Sequence, residues 1–167
     1  MKILITGAAG FIGSHLSNTL LDDGFDVIGL DNFNDYYDPT LKHDRIAYFG
    51  HHVVECDLKD FDDLDIVFNE YQPDIVIHLA ARAGVRDSVG NEQLYHNDNI
   101  IATQNLIQVC KMYNVAKVIY ASTSSVYGDS KDFPLKENFH TSSPQSFYAA
   151  TKKSNESMAH AYSSIFK

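Results

Sequence analysis

The first fifteen residues, MKILITGAAGFIGSH, predict a buried strand, a glycine-rich turn and the start of a helix, and this order constrains the rest of the chain. After the apolar run that ends at Thr6, glycines follow at Gly7, Gly10 and Gly13. Gly7 lets the chain leave the strand tightly, Gly10 omits a Cβ where backbone must approach a bound anion, and Gly13 allows the helix to pack closely on the strand. The N–H groups of the first helical turn, with the positive end of its dipole, then face a phosphate.

A carboxylate follows the second predicted strand, DVIGL at residues 26–30. Asp31 stands close to the distance of about 20 residues expected between a dinucleotide-binding glycine turn and the acidic residue that accepts the adenine-ribose hydroxyls. A carboxylate there would also repel a 2′-phosphate, so the sequence favours NAD over NADP. The first glycine gap is one residue longer than in the standard fingerprint, and an ordinary strand-to-helix turn with packing glycines is the alternative.

Length and charge limit the classes of protein to consider. The chain has 167 residues, of which 44% are hydrophobic, which suits a single domain with one core. Its formal net charge of −9 disfavours nucleic acid and anionic membranes as partners, because both require a basic surface. No apolar run is long enough to span a membrane.

The cysteines and histidines indicate a reducing compartment and no metal centre. Cys56 lies in a predicted strand and Cys110 in a predicted helix, where reduced, buried thiols are expected, and this fits a cytoplasmic location. The eight histidines are scattered without the spacing of metal ligands, so no metal site is predicted.

Strand and helix patterns alternate along the whole chain. Further apolar runs predict strands at residues 51–56, 74–80 and 117–121, and helical spacing recurs at residues 60–71, 93–112 and from 147 to the end. This alternation predicts an α/β fold with a doubly wound parallel sheet, in which ligands bind outside the carboxyl ends of the strands. Asp57 lies at one such end and could contact adenine or cap the following helix.

Two side chains in the last predicted helix form a candidate catalytic pair. Tyr148 and Lys152 are four residues apart, so both project from one helical face, and an ammonium favours the ionised form of a nearby phenol. A hydroxyl from the run Ser122 to Ser125, at the end of the fifth strand, can hold a sugar alcohol oxygen within reach of such a base. Alternatively, the pair lies on a solvated helix face and the serines on a polar loop.

Five motifs in order, TGAAGFIGSHL, DN, HLAA with AGVRDS, ASTSSVYG and YAATKK, resemble the extended short-chain dehydrogenase/reductase family in its nucleotide-sugar epimerase/dehydratase branch. The segments NFNDYYDPTLK, AGVRDS and SPQSFYAATKKSNESMAHAYS most resemble UDP-glucuronate 4-epimerases. The resemblance covers essentially the whole chain and implies one Rossmann-like NAD-binding domain over residues 1–167.

The resemblance also implies roles for individual residues. Thr123, Tyr148 and Lys152 match the family's catalytic residues, and Ser124, Ser125 and Arg86 are expected on the substrate side. The expected NAD contacts are Gly7, Gly10, Phe11, Ile12, Gly13, Asp31, Asn32, Asp57, Leu58, Ala80, Ala81, Tyr148 and Lys152. Arg82 and Arg86 could approach a sugar carboxylate or phosphate, although a surface role suits either equally well.

The implied activity is 4-epimerisation of a UDP-sugar, expected to be UDP-glucuronate, by transient NAD-dependent oxidation at C4. Two serines stand where dehydratases of this branch carry an Asp-Glu pair, which favours epimerisation over dehydration. Members of the family are longer, so this chain is expected to match their amino-terminal half without the carboxyl-terminal nucleotide-sugar domain. A dehydratase, decarboxylase or reductase, or an inactive NAD-binding fragment, are the alternatives. The helices at residues 93–112 and from 147 could form a homodimer contact, although core packing explains their apolar faces equally well.

Overall fold

Five parallel strands form one sheet, and their order places β1 at its centre. The computed structural model describes residues 1–49 and 52–166. The strands are β1 (Lys2–Thr6), β2 (Asp26–Asp31), β3 (Val53–Glu55), β4 (Ile75–His78) and β5 (Lys117–Tyr120). The sheet order is β3-β2-β1-β4-β5, with every neighbouring pair parallel. The order reverses between β1 and β4, which confirms the doubly wound α/β fold predicted from the alternating pattern.

Helices connect the strands and follow the last one. They are α1 (Phe11–Asp22), α2 (Thr40–Phe49), α3 (Phe61–Tyr71), α4 (Glu92–Tyr95), α5 (Ala102–Met112) and α6 (Phe147–Ile165). Between α4 and α5 lies a π-helical turn (His96–Ile101), and a 3₁₀ turn (Ser124–Tyr127) follows β5. Asp60 caps α3 by accepting hydrogen bonds from the Asp62 and Asp63 N–H groups. Among the described residues, no helix is both long and apolar enough to cross a membrane.

Some of the predicted strand and helix boundaries differ from those in the structure. The strands predicted at residues 51–56 and 74–80 are shorter, and residue 51 lies outside the described residues. The helix predicted at residues 93–112 begins one residue earlier and contains the π-helical turn. Residue 167, at the end of the last predicted helix, also lies outside the described residues. Hydrophobic spacing does not reveal such a turn, because a single π-helical turn is too short to set a recognisable period of its own.

The residues group into two compact units. The sheet unit comprises residues 1–81 and 108–121, and the helical unit comprises residues 82–107 and those from 122 on. The core of the sheet unit contains Leu4, Ile5, Leu64, Phe68 and Val76, all essentially inaccessible to solvent. Gly29 in β2 is required by close packing, since a Cβ there would lie 2.8 Å from both the Ala8 Cβ and the Val53 Cγ2.

Buried amide hydrogen bonds join the elements of the helical unit. The Asn99 amide of the π-helical turn donates to Thr151 Oγ1 of α6 at 3.0 Å, and Asn155 of α6 donates to Thr103 Oγ1 at 3.2 Å. All four side chains are buried, so these two hydrogen bonds lie out of contact with solvent.

Both cysteines are buried, free thiols, as predicted. Burial raises the pKa of Cys110 to about 12. Burial and the nearby carboxylates Asp63, Asp57 and Asp60 raise the pKa of Cys56 to about 12 as well. Neither thiol therefore forms the nucleophilic thiolate at neutral pH.

Truncating Phe68 should destabilise the chain far more than truncating its neighbour Ile66 on α3. The Phe68 side chain is 0% exposed and Ile66 is 61% exposed. Phe68→Ala would leave a cavity and should lower the free energy of unfolding by about 3–5 kcal/mol, whereas the exposed Ile66→Ala should change it by less than about 1 kcal/mol. Urea denaturation measures both values, and equal effects would contradict this packing.

Candidate functional site

The glycine turn is closed by contacts that leave no room for side chains. Gly7 has φ +72°, and a Cβ there would lie 2.8 Å from the Ala80 nitrogen. A Cβ on Gly13 would collide with the Gly7 carbonyl oxygen, and one on Gly10 would lie 3.0 Å from the same atom. The Gly10 N–H donates to that carbonyl at 3.0 Å. The structure thus supports the predicted tight turn at Gly7 and close packing at Gly13.

The amino end of α1 offers backbone donors to an anion. Gly10 stands at the cap position without a side-chain cap, and the first turn contains no acidic residue. Phe11 and Ile12 in that turn are 68% and 64% exposed. The positive end of the helix is therefore not neutralised by its own residues, and this geometry fits a diphosphate in the manner of a dinucleotide cofactor.

Asp31 ends β2 beside this turn, and much of its hydrogen-bonding capacity is already used. Its Oδ2 accepts the Ala9 N–H at 3.1 Å, and its Oδ1 accepts the Phe33 N–H at 3.0 Å and Lys42 Nζ at 3.1 Å. A carboxylate has about four acceptor positions. Within the described part of the chain, one position is left for a ribose hydroxyl, fewer than the two that the sequence suggested.

Two cations of α2 approach the same turn, and sequence reasoning missed both. Lys42 Nζ lies 5.4 Å from the centre of the Tyr37 ring, and the Arg45 guanidinium lies 5.5 Å from it. Arg45 donates to the Tyr37 hydroxyl at 3.0 Å and to the Ala9 carbonyl at 3.4 Å. The three-residue spacing of Lys42 and Arg45 on a helix was the available signal, because it places them on one face.

Asp57 does not cap α3, since Asp60 does, so one of its two proposed roles is wrong. Its Oδ2 accepts the Asn32 amide at 3.0 Å and its Oδ1 accepts the Lys59 N–H at 2.9 Å. Burial alone would raise the pKa of Asp57, but the hydrogen bonds from Lys59 and Asn32, with the Lys59 charge, lower it overall. The adenine contact of Asp57, and those of Asn32 and the buried Leu58, remain predictions.

At the carboxyl end of β4, the buried side chains of Thr6 and His78 contact each other, and Thr6 also contacts the backbone at Ala80. Thr6 Oγ1 lies 2.7 Å from His78 Nδ1 and accepts the Ala80 N–H at 3.2 Å. Ala80 is half-buried and Ala81 is exposed, so both are accessible at the carboxyl end of β4. Their cofactor contacts also remain predictions.

In the helical unit, α6 carries the predicted catalytic pair. Ser146 caps the helix by accepting the Ala149 N–H at 3.0 Å, which places Tyr148 in the first turn and Lys152 one turn later. Tyr148 is half-buried, and Lys152 is only 3% exposed. Burial lowers the pKa of Lys152 to about 8. The alternative of a solvated pair is therefore wrong for Lys152.

The predicted hydroxyl cluster follows β5 and packs against α6. Thr123 Oγ1 accepts the Ser125 N–H at 3.2 Å and so caps the 3₁₀ turn, which contacts α6. Thr123 and Ser125 are half-buried and Ser124 is exposed. Ser122 instead donates to Glu156 at 2.6 Å, so its hydroxyl is engaged within the helical unit. The structure thus brings the 3₁₀ turn that Thr123 caps to the helix of Tyr148 and Lys152.

The two arginines after β4 differ in their surroundings. Arg82 Nε donates to Asp98 Oδ2 at 2.9 Å in a largely buried ion pair, and its backbone N–H donates to Asn99 Oδ1 at 2.8 Å. Arg86 is exposed, so of the two it is better placed to meet an anionic ligand. Asn99 was not singled out from the sequence, because only the fold shows that the π-helical turn buries its amide.

Tyr95 connects the Arg86 loop to α6, the helix of the predicted catalytic pair. Its hydroxyl lies 2.6 Å from the Ala83 carbonyl, 3.0 Å from the Gly84 carbonyl and 3.0 Å from Asp87 Oδ2. Its ring packs edge-on against Tyr148, with 6.2 Å between ring centres. This fully buried side chain therefore positions both the loop and the Tyr148 ring.

Replacing Tyr95 with Phe should loosen the Arg86 loop. The variant keeps the ring but removes the hydroxyl that contacts the Ala83 and Gly84 carbonyls and Asp87, which should lower stability by about 1–3 kcal/mol. Amide hydrogen exchange at residues 83–88 should accelerate. The control is Tyr113→Phe, which also loses a hydroxyl hydrogen bond, at 2.9 Å to Asp65. Unchanged exchange in Tyr95→Phe, or equal acceleration at residues 83–88 in both variants, would contradict the role of Tyr95 in holding the loop.

Raising the pH should stabilise the wild-type chain relative to Lys152→Met. The lysine pKa is about 8 in the folded chain against 10.5 ordinarily, so between these values the unfolded chain binds more protons. Stability then rises with pH across this window, by about 3 kcal/mol in total. Chemical denaturation at several pH values measures the difference between the two proteins, and a difference that stays constant would argue against a buried Lys152 ammonium.

Comparisons with known proteins agree with this geometry. The profile of the NAD dependent epimerase/dehydratase family matches residues 3–166. Protein CapI of Staphylococcus aureus is 47% identical, over 99% of this chain and 51% of its own length. UDP-glucuronate 4-epimerase 4 of Arabidopsis thaliana is 46% identical, over 99% of this chain and 39% of its own length.

Solved structures show the same similarity. A UDP-glucuronic acid 4-epimerase variant from Bacillus cereus, in complex with UDP-4-deoxy-4-fluoro-glucuronic acid and NAD, is 40% identical with a TM-score of 0.90, over 99% of this chain and 53% of that one. The UDP-glucose 4-epimerase of Thermus thermophilus, in complex with NAD, is 33% identical with a TM-score of 0.90, over 99% of this chain and 52% of that one.

The chain spans about half the length of the bacterial and archaeal relatives that it matches, 51% of the bacterial protein and 52% of the archaeal one. The family profile covers nearly all of it, and the parallel sheet and the tight glycine turn agree with the fold expected from the five motifs. The chain belongs to the NAD dependent epimerase/dehydratase family.

Proposed function

We propose that this chain binds NAD and carries the catalytic residues of a nucleotide-sugar 4-epimerase that acts on UDP-glucuronate. The observation that carries the proposal is the arrangement on α6, where a buried Lys152 follows a half-buried Tyr148 and the Thr123 turn packs against the same helix. The similarity to UDP-glucuronate 4-epimerases of Arabidopsis thaliana and Bacillus cereus supports the choice of sugar.

The residues that would hold NAD fit a diphosphate and a ribose. The uncapped amino end of α1 would meet the diphosphate, with Phe11 and Ile12 in its first turn, and Asp31 Oδ2 would accept a ribose hydroxyl. Within the described part of the chain, this atom keeps one acceptor position. Bound NAD supplies reversible hydride exchange, which is chemistry that no side chain of the protein provides.

The side chains of the helical unit would handle the proton. Tyr148 would accept the proton of the sugar C4 hydroxyl and later return it, while the Thr123 hydroxyl holds that oxygen in place. Lys152 would stabilise the ionised phenol, because an ammonium favours a neighbouring anion. Its pKa of about 8 keeps it largely charged at neutral pH.

The substrate contacts proposed for Ser124, Ser125 and Arg86 rest on exposure and chemistry. Ser124 and Arg86 are exposed, and a guanidinium pairs well with a carboxylate or phosphate. The serines stand where dehydratases of the branch carry acidic residues, which supports epimerisation. Assembly into a homodimer and a cytoplasmic location stay predictions.

Tyr148→Phe should abolish turnover while leaving NAD affinity within about twofold, because the phenol oxygen carries the proton and the ring keeps its packing. The protein is incubated with UDP-glucuronate and NAD, and the products are separated by chromatography, with a C4 epimer expected from the wild type. The matched control is Tyr162→Phe on the same helix.

Three other results, from product analysis, calorimetry and the variant, would each contradict part of the proposal. A retained keto product would indicate a dehydratase, decarboxylase or reductase instead. Calorimetric binding of NAD without any response to UDP-glucuronate would leave an NAD-binding module that is not catalytic. An active Tyr148→Phe variant would remove Tyr148 from its assigned role.

A further inference from the structure

A buried cation lies directly beside the carboxylate assigned to the ribose. Lys42 is 4% exposed, and its Nζ donates to Asp31 Oδ1 at 3.1 Å and to Asn34 Oδ1 at 3.2 Å. Its ammonium also lies 5.4 Å from the centre of the Tyr37 ring. A lysine has three donors, so within the described part of the chain these contacts use two of them.

The Asp31–Lys42 pair changes the electrostatics expected at the end of β2. An isolated carboxylate would repel a 2′-phosphate by its charge alone, which is the usual explanation of NAD preference. Here the carboxylate is 6% exposed and held against an ammonium, so its charge is largely compensated at short range. Simple repulsion is therefore weaker than the sequence implied.

The same ion pair also compensates the positive charge of Lys42. A buried ammonium attracts a phosphate strongly when nothing neutralises it, and α2 also places Arg45 near the turn, where it donates to the Ala9 carbonyl at 3.4 Å. Asp31 would therefore accept a ribose hydroxyl while its other oxygen pairs with the Lys42 ammonium, which is a possible ligand for a phosphate.

We propose that Lys42 is a second determinant of the choice between NAD and NADP, because its ammonium would bind a 2′-phosphate and Asp31 prevents this by pairing with it. The inference rests on the proposed function, since it takes the glycine turn and Asp31 as the cofactor site. It differs from the repulsion explanation in one respect: any gain in NADP affinity after neutralising Asp31 must depend on Lys42.

Isothermal titration with NAD and with NADP tests this dependence on the wild type, Asp31→Asn, and Asp31→Asn combined with Lys42→Met. Asparagine keeps the shape of the aspartate and can still accept the Ala9 N–H, but it leaves the ammonium uncompensated. Asp31→Asn should bind NAD about tenfold more weakly and NADP at least about tenfold more tightly than the wild type. The double variant should lose that gain in NADP affinity.

The test compares Asp31→Asn with the double variant and does not use Lys42→Met alone, which is the variant most prone to unfolding. Lys42→Met alone would leave a buried carboxylate without its partner, whereas the double variant removes both charges together and is better tolerated. The matched control adds Lys111→Met to Asp31→Asn, since Lys111 is an exposed lysine in the last turn of α5 and its loss changes the net charge equally. This control should keep the gain in NADP affinity.

The outcomes separate the two proposals. Equal NADP affinity in Asp31→Asn and in the double variant, or no gain in Asp31→Asn, would overturn the role of Lys42 while leaving NAD binding intact. A wild-type chain that binds neither dinucleotide would overturn the proposed function and this inference with it. A gain that appears in Asp31→Asn, persists in the Lys111 control and disappears in the double variant establishes Lys42 as the second determinant.

Discussion

Close contact between β1 and α1 is the constraint on which the candidate cofactor site depends. A Cβ on Gly13 would collide with the Gly7 carbonyl oxygen, and a Cβ on Gly7 would lie 2.8 Å from the Ala80 nitrogen. These short-range contacts therefore set the position of the helix's amino end relative to the carboxyl ends of β1 and β4. Because parallel strands all end at the same edge of the sheet, this contact also brings Asp31 to the turn, where it accepts the Ala9 N–H.

Buried charges perform different tasks in the two units. In the sheet unit, Lys42 and Asp31 neutralise each other, and the pair is held by Asn34 and by backbone N–H groups. In the helical unit, burial lowers the pKa of Lys152 to about 8. An ion pair holds its two partners in place, whereas burial that disfavours the charged form of a lysine lowers its pKa toward neutrality. The physical difference lies in what surrounds each ammonium, since the two residues are chemically identical.

Much of the fold could be predicted because the strands of a parallel sheet are continuous apolar runs separated by turn residues. The end of β1 at Thr6 was predicted, and the alternating order predicted the doubly wound sheet. The π-helical turn and the buried amide of Asn99 could not be predicted, because they depend on packing against α6 through Thr151 rather than on local spacing. The same holds for Tyr95, an ordinary aromatic in the sequence that contacts both the Arg86 loop and Tyr148.

The sequence by itself determined the glycine turn, the acidic end of β2 and the four-residue spacing of Tyr148 and Lys152, because each is a local pattern whose chemistry follows from residue type and helical or strand geometry. Only the tertiary structure decided that Arg82 is engaged by Asp98 and that Lys42 pairs with Asp31. Partners and burial arise when segments distant in the chain pack together, and neither composition nor periodicity specifies which charges then meet.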